Sequence, residues 1–182
     1  MESPDIESTI ADEDRRYAAW IAEARPLLAE NKHGEALRLP TYPRFAVEGV
    51  PWADLSTPIG TTTVALVSSA GVYHLDQAPF AAADPAGDVT WRAVDAESSR
   101  QRLGIAHDHY DHTAAMTDLN SVFPMERLRE LARAGTIGAV HSTIYSFSGY
   151  MRDLWRWRRE GAPGIARALA DAGVQAALLV PV

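Results

Sequence analysis

Residues 61–68 read TTTVALVS, a run of β-branched and apolar side chains that ends at the turn-forming Ser69-Ala70-Gly71. A short apolar run of this kind predicts a buried β-strand followed by a tight turn. The residue patterns predict four further strands, at residues 88–94, 102–106, 137–147 and 174–182, the last of them buried. Within the strand at 88–94, alternation predicts Val89, Trp91 and Ala93 on one face.

Helical patterns alternate with these strands. The clearest is residues 124–134 (PMERLRELARA), which begins at Pro124 and is followed by Gly135, the residue types that favour the two ends of a helix. Helices are also predicted at residues 11–30, with Pro26 as a kink or end, and at 149–159 and 163–172. The alternation predicts an α/β fold, a three-layer sandwich with a largely parallel sheet that is truncated after its last strand.

The sequence predicts two parts of unequal size. Residues 1–44 hold the N-terminal helix and the start of an extended connector, and residues 45–182 form the α/β domain. The connector covers residues 34–60, contains four prolines and is expected to pack through Phe45 and Trp52.

Composition limits the function. The 182 residues are 47% hydrophobic and carry a net charge of −7, which argues against binding nucleic acid or an anionic membrane. No uncharged apolar run approaches the roughly 18 residues needed to span a bilayer, and the first residues lack a signal-peptide core. We therefore expect a soluble cytoplasmic protein. The sequence contains no cysteine, which excludes disulfides, thiolate metal sites and cysteine nucleophiles within these residues.

Residues 107–112 read HDHYDH and hold three of the six histidines of the chain. In parallel sheets, functional groups collect at the carboxyl ends of strands, where this segment, residues 68–75 and whatever follows Val182 are expected to meet. Imidazole and carboxylate ligands suit zinc or iron(II), so one interpretation is a metal site. Its ligands would be His107, His109, Asp111 and His112. The alternatives are a site that handles substrate and protons, and a polar loop whose histidines cap backbone groups.

The same six residues match H-x-H-x-D-H, the metal signature of metallo-β-lactamase-fold hydrolases. That fold needs further ligands downstream, and His141 is the only histidine after His112. A metal-dependent hydrolase or lyase is therefore an alternative function, and a non-catalytic binding module is another. Residues 155–159 (WRWRR) suggest helix-packing tryptophans with a solvated basic face more than an anion site.

Four runs carry a family resemblance in order and spacing. They are residues 64–72 (VALVSSAGV), 106–113 (AHDHYDHT), 118–124 (DLNSVFP) with Arg127-Leu128, and 137–147 with Ile137-Gly138 and Tyr145-Ser146-Phe147. These runs resemble selenoprotein B of the glycine, sarcosine, betaine and D-proline reductases, with the short D-proline reductase-like members closest. The resemblance covers the domain predicted at residues 45–182.

The resemblance implies reductive cleavage of a carbon–nitrogen bond alpha to a carboxylate, in a small amino-acid-like substrate, by a selenol or thiol. It implies partner subunits of a reductase, including a pyruvoyl-type subunit, and self-association into a homo-oligomer is a further interpretation. The expected catalytic residues are His107, Asp108, His109 and Tyr110, and the expected substrate-binding residues are Ser69, Gly71, His74 and Asn120. Cofactors stay unassigned apart from the divalent metal considered above.

The family places a selenocysteine or cysteine, in a U/C-x-x-C motif, just after the strand that ends at Val182. We therefore expect a misread UGA codon or a boundary at this point, and a chain that is inactive by itself. Two expectations concern the site. His107, His109, Asp111 and His112 should converge near residues 69–74, and a buried Phe123 should support them, with Pro124 starting the next helix.

Overall fold

The computed structural model describes residues 6–42, 53–82, 87–151 and 154–182. The chain divides into two compact units, Met1–Ala53 and Asp54–Val182. The predicted boundary between residues 44 and 45 lies outside the described residues, as do Phe45 and Trp52. Among the described residues, no helix is long and apolar enough to cross a membrane.

The first unit contains helices α1 (Ile6–Ala29) and α2 (His33–Ala36). Its core is formed by Trp20, Ala24 and Ala36, and the Trp20 indole donates a hydrogen bond of 2.9 Å to the Ala36 carbonyl. The predicted helix is confirmed, and it continues through Pro26 to Ala29. The connector was expected to be extended from residue 34, but its first residues belong to α2. The turn after α1 places Ala36 of this helix against Trp20.

The second unit is built on one mixed sheet. Its strands are β1 (Thr63–Ser68), β3 (Trp91–Asp95), β5 (Ala139–Val140), β6 (Thr143–Phe147) and β7 (Ala176–Val180). β1 is parallel to β5, β6 and β7, whereas β3 is antiparallel to β6. Two short strands, β2 (Val72–His74) and β4 (Leu103–Ile105), form a separate antiparallel pair. The α/β class and the largely parallel sheet are confirmed.

The described part of this unit contains four α-helices. They are α3 (Thr113–Thr117), α4 (Met125–Arg133), α5 (Leu154–Arg156) and α6 (Ala162–Asp171), with a π-helical turn at Trp157–Gly161 between the last two. Of these, α4 and α6 end just before the predicted glycines, and α3 was not predicted. Gly135 and Gly173 have positive φ after α4 and α6, which is the backbone conformation that glycine favours at a helix end. The helix predicted at 149–159 is shorter, because Gly149 to Met151 are not helical.

Side chains of β1 alternate between two apolar clusters, so both faces of this strand are covered. Leu66 belongs to the cluster that includes Phe123 and Ile144, and Val67 belongs to the one that includes Tyr145 and Ile165. Phe123 is 1% exposed and Pro124 immediately precedes α4, which confirms the expected burial of Phe123 and the expected start of the helix. Trp157 stacks on Phe147 in the second cluster, with ring centroids 4.3 Å apart, so it packs as predicted.

Two strand predictions were wrong in detail. The strand predicted at 174–182 is neither buried nor central: β7 pairs with β1 on one side, and Leu179 is 68% exposed. An apolar run specifies a strand, but the neighbouring elements decide whether it is covered. The strand predicted at 88–94 begins only at Trp91 and buries residues on both of its faces. Within it, Ala93 is exposed and Val94 is fully buried.

Candidate functional site

Three loops meet at the carboxyl end of β1, and Ser69 joins them. The Ser69 carbonyl accepts a hydrogen bond of 2.8 Å from the Gly149 amide, in the loop after β6. The Ser69 hydroxyl accepts one of 2.8 Å from the Val182 amide, after β7. Ser69 itself is 7% exposed, and its bond to Val182 is part-buried. The junction fixes the ends of three parallel strands relative to one another.

Gly71 brings the His-Asp segment to this junction. Its φ is +66°, and a Cβ atom at this position would lie 2.5 Å from the Ala106 carbonyl oxygen. The close approach allows the Ala106 amide to donate a hydrogen bond of 2.9 Å to the Gly71 carbonyl. Only glycine meets both requirements, so the turn predicted after β1 positions the start of the HDHYDH segment.

His107 is buried and holds two loops together. Its side chain is 3% exposed, with Nδ1 3.2 Å from the His109 amide nitrogen and Nε2 3.2 Å from the Tyr150 amide nitrogen. A neutral imidazole has one lone pair, so it accepts one of these two N–H groups at a time. Desolvation lowers the pKa of His107, and the positive charges of His109 and His112 lower it further, which favours the neutral ring.

Five rings form a contiguous group above the junction, here called the ring cluster: His107, His109, Tyr110, His112 and Tyr150. His109 stacks on Tyr150 with ring centroids 3.3 Å apart and planes at 8°. Tyr110 contacts His107 at 4.9 Å and His112 at 4.4 Å between centroids. Its hydroxyl donates a hydrogen bond of 3.2 Å to the Ala70 carbonyl, and burial raises the pKa of Tyr110, so the phenol keeps its proton.

The predicted metal ligands do not form a metal site. Among the described residues, which include all of residues 107–112, no group of three or more His, Asp or Glu side chains could hold an ion. Both nitrogens of His107 face backbone amides, and Asp111 accepts hydrogen bonds of 2.9 and 2.7 Å from the Thr113 amide and hydroxyl. These bonds lower the pKa of Asp111 and turn it toward the start of α3. The residues do not fit a metal, and the assignment of His107, His109, Asp111 and His112 as its ligands gains no support.

The other predicted site residues divide into two groups. Ser69 and Gly71 lie at the junction, and Asp108 and His109 are exposed beside it. His74 lies at the opposite end of the β2–β4 pair from Ile105, and its Nδ1 accepts a hydrogen bond of 3.3 Å from the Asp76 amide. Asn120 accepts a hydrogen bond of 3.1 Å from the Glu126 amide and so caps α4. It lines a separate cavity of about 320 Å³ with Met116 and Glu126, among others.

The sequence reasoning missed Tyr150 and Gly149. Both follow β6, whose carboxyl end is next to that of β1 in the parallel register of Ser68 with Ser146. Functional groups collect at the carboxyl ends of parallel strands, which is why residues 68–75 were selected. The same reasoning applied to the end of the predicted strand at 137–147 would have selected Gly149 and Tyr150 as well.

Comparison with known proteins shows the family of the chain. The family model for glycine/sarcosine/betaine reductase selenoprotein B matches residues 28–182, which is most of the chain. The chain belongs to this family. Among known proteins of related sequence, the chain is similar to the D-proline reductase subunit gamma of Acetoanaerobium sticklandii. The two are 33% identical over 128 residues, which is 70% of this chain and 52% of the relative.

A second relative is the glycine reductase complex component B subunit gamma of Symbiobacterium thermophilum. It is 28% identical over 131 residues, which cover 70% of this chain and 30% of that protein. This member of the selenoprotein B family therefore spans about half the length of one relative and less than a third of the other. No solved structure matches the chain.

Proposed function

We propose that this chain is part of a reductase-complex component that cleaves a carbon–nitrogen bond alpha to a carboxylate in an amino acid such as glycine or D-proline. Membership of the selenoprotein B family supports the proposal, as do two relatives that are subunits of glycine and D-proline reductases. Partner reductase subunits, including one of the pyruvoyl type, belong to the same proposal. A reducing compartment such as the cytoplasm suits chemistry that consumes a dithiol.

The observation that carries the proposal is the pairing of exposed His109 with Tyr150 above the carboxyl end of β1. His107 anchors the backbone of both residues and is itself buried, so we assign it a positioning role and not contact with substrate. Asp108 is exposed next to His109. Substrate would therefore meet one carboxylate and one imidazole that are held on a rigid support.

A thiol or selenol would supply the electron pair that displaces the amine, so a carbon–sulfur or carbon–selenium bond would replace the carbon–nitrogen bond. A second thiol would then attack that sulfur or selenium atom, the alpha carbon would keep the bonding pair and take a proton, and the disulfide or selenosulfide so formed would be reduced by a dithiol. The 182 residues contain no cysteine, so that group lies outside them. The Asp108 carboxylate attracts the substrate ammonium group. The ammonium nitrogen of the substrate takes the bonding pair and leaves as a neutral amine without further protonation. His109 in its charged form can give the alpha carbon the proton that it needs when the carbon–chalcogen bond is cleaved. Tyr110 keeps its proton and orients the loop through its bond to Ala70.

The test is an NMR titration of the chain with glycine, sarcosine, betaine and D-proline. We expect at least one of them to shift the resonances of Asp108, His109 and Tyr150, and Asp108→Asn to weaken that binding by about two- to fivefold, as for an exposed ion pair. Asp171→Asn, which changes an exposed aspartate on α6, is the control and should bind normally. Shifts confined to other parts of the chain, or none at millimolar ligand, would contradict the proposal.

A further inference from the structure

The loop that joins β2 to β3 reaches the backbone of Tyr150. The structure describes residues 75–82 and 87–90 of this loop. Gly87 forms an isolated antiparallel β-bridge with Met151, the residue after Tyr150. A Cβ atom on Gly87 would lie 2.6 Å from the Met151 Cα atom and 2.9 Å from the Tyr150 carbonyl oxygen, and the φ of Gly87 is +79°. Only glycine therefore allows the loop to come this close to Tyr150.

Asp88 fixes the chain directly after Gly87. Its carboxylate accepts hydrogen bonds of 3.0 Å from the Ala81 amide and 2.8 Å from the Thr90 amide. The Asp88 side chain is only 10% exposed, and its Oδ2 lies 3.7 Å from Nη2 of Arg92, whose side chain is 16% exposed. Because both charges are largely removed from solvent, water screens their attraction less than that of a surface pair.

Arg92 also connects the earlier part of the loop to β3. Its Nε donates a hydrogen bond of 2.9 Å to the Ala78 carbonyl, and its Nη2 donates one of 3.2 Å to the Pro79 carbonyl. The guanidinium lies 4.3 Å from the ring centroid of Phe80, which is 4% exposed. Both described parts of the loop are thus attached to Arg92 of β3, and β3 is hydrogen-bonded to β6, the strand that leads to Tyr150.

The backbone of Tyr150 is therefore contacted at both of its ends. Its amide nitrogen lies 3.2 Å from Nε2 of His107, and its carbonyl oxygen and the following Met151 lie against Gly87. Contacts at both peptide groups of one residue fix the direction of its Cα–Cβ bond. They therefore determine the point from which the Tyr150 ring extends.

We propose that Gly87 is a positioning residue that keeps the Tyr150 ring stacked on His109, and that the Asp88–Arg92 pair keeps Gly87 in place. This inference rests on the proposed function and deepens it, because an amino acid that binds beside His109 meets a ring that the loop has positioned. Glycine has no side chain that could touch the substrate, so the effect of Gly87 on binding passes through the backbone of Tyr150.

The test is Gly87→Ala in the full chain, with Gly135→Ala as the matched control. Gly135 also has a positive φ, +71°, but a Cβ atom there would meet nothing within 4 Å. Both variants strain a left-handed backbone, and Gly87→Ala also displaces the backbone of Tyr150. We expect nuclear Overhauser contacts between the rings of His109 and Tyr150, whose centroids are 3.3 Å apart, to be lost in Gly87→Ala and kept in the control. The Kd of the amino acid that binds the wild-type chain should rise about three- to tenfold in Gly87→Ala and stay unchanged in the control, as for the loss of one ring contact.

Asp88→Asn is a second variant that releases the loop without strain at a glycine. One carboxylate oxygen becomes an NH2 group, so one of the bonds from backbone amides is lost together with the charge that attracts Arg92, and the ring contacts should weaken. Ring contacts of wild-type intensity in either folded variant, or their equal loss in Gly135→Ala, would overturn the proposal. A wild-type chain that binds none of glycine, sarcosine, betaine and D-proline would contradict the proposed function only, because the ring contacts by themselves decide the role of Gly87.

Discussion

Replacing His107 with phenylalanine tests how the ring cluster is held together. Phenylalanine keeps a ring of similar size against Tyr110 but removes both nitrogens, which lie 3.2 Å from the amides of His109 and Tyr150. Because a neutral imidazole accepts one hydrogen bond at a time, the substitution leaves one part-buried N–H group without an acceptor. A fully buried N–H group without an acceptor costs about 1–3 kcal/mol, and since this one is part-buried we expect the free energy of unfolding to decrease by about 1 kcal/mol.

The assay is urea unfolding followed at the amide resonances of Leu66 and Ile144, which are fully buried in the second unit. Faster hydrogen exchange at the Tyr150 amide should accompany the loss of stability. His141→Phe is the control, since His141 is half-buried and stacks on Tyr145 away from the cluster, and it should change stability by less than about 0.5 kcal/mol. A His107→Phe variant as stable as wild type, with unchanged exchange at Tyr150, would refute the positioning role.

Three further predictions concern the stability of the second unit and are tested by unfolding measurements. Phe123→Ala removes a ring that is 1% exposed and should cost about 3–5 kcal/mol, whereas a loss below about 1 kcal/mol would contradict its core position. Asn120→Ala removes the acceptor for the Glu126 amide at the start of α4 and should cost about 0.5–2 kcal/mol, and an unchanged midpoint would exclude the cap. Burial alone would raise the pKa of Asp88, but hydrogen bonds from Thr90 and Ala81 bring it below 3.8. Asp88 therefore stabilises the folded chain fully above about pH 3.8, and this stabilisation is lost as the pH falls below that value. Asp88→Asn should make the free energy of unfolding less dependent on pH in this acidic range. An unchanged pH dependence would count against these hydrogen bonds.

Local sequence signals predicted correctly the elements that depend mainly on their own residues. The run TTTVALVS predicts β1 correctly because residues that are apolar on both faces suit a strand covered on both faces. Pro124 and Gly135 define α4 through backbone constraints that are independent of the rest of the fold. The turn at Ser69-Ala70-Gly71 was likewise correctly located, and it is the part of the site that the sequence indicates most directly.

The errors arise where distant neighbours decide the outcome. β7 has the composition of a central strand, but its exposure depends on whether another element lies beside it. His74 is the last residue of β2, which belongs to the small antiparallel sheet, so its position at a strand end does not bring it to the junction. The side chain of Asn120 is used by α4, and the stacking of Tyr150 on His109 depends on the register of β6 with β1. None of these relations is encoded in adjacent residues.

The most direct measurement is a crystal structure of the chain with whichever of glycine, sarcosine, betaine or D-proline binds most tightly. We expect the amino acid beside the stacked rings of His109 and Tyr150, with its positively charged nitrogen next to the Asp108 carboxylate. The same ligand bound instead in the cavity lined by Met116, Asn120 and Glu126, with the ring cluster empty, would contradict the proposed function.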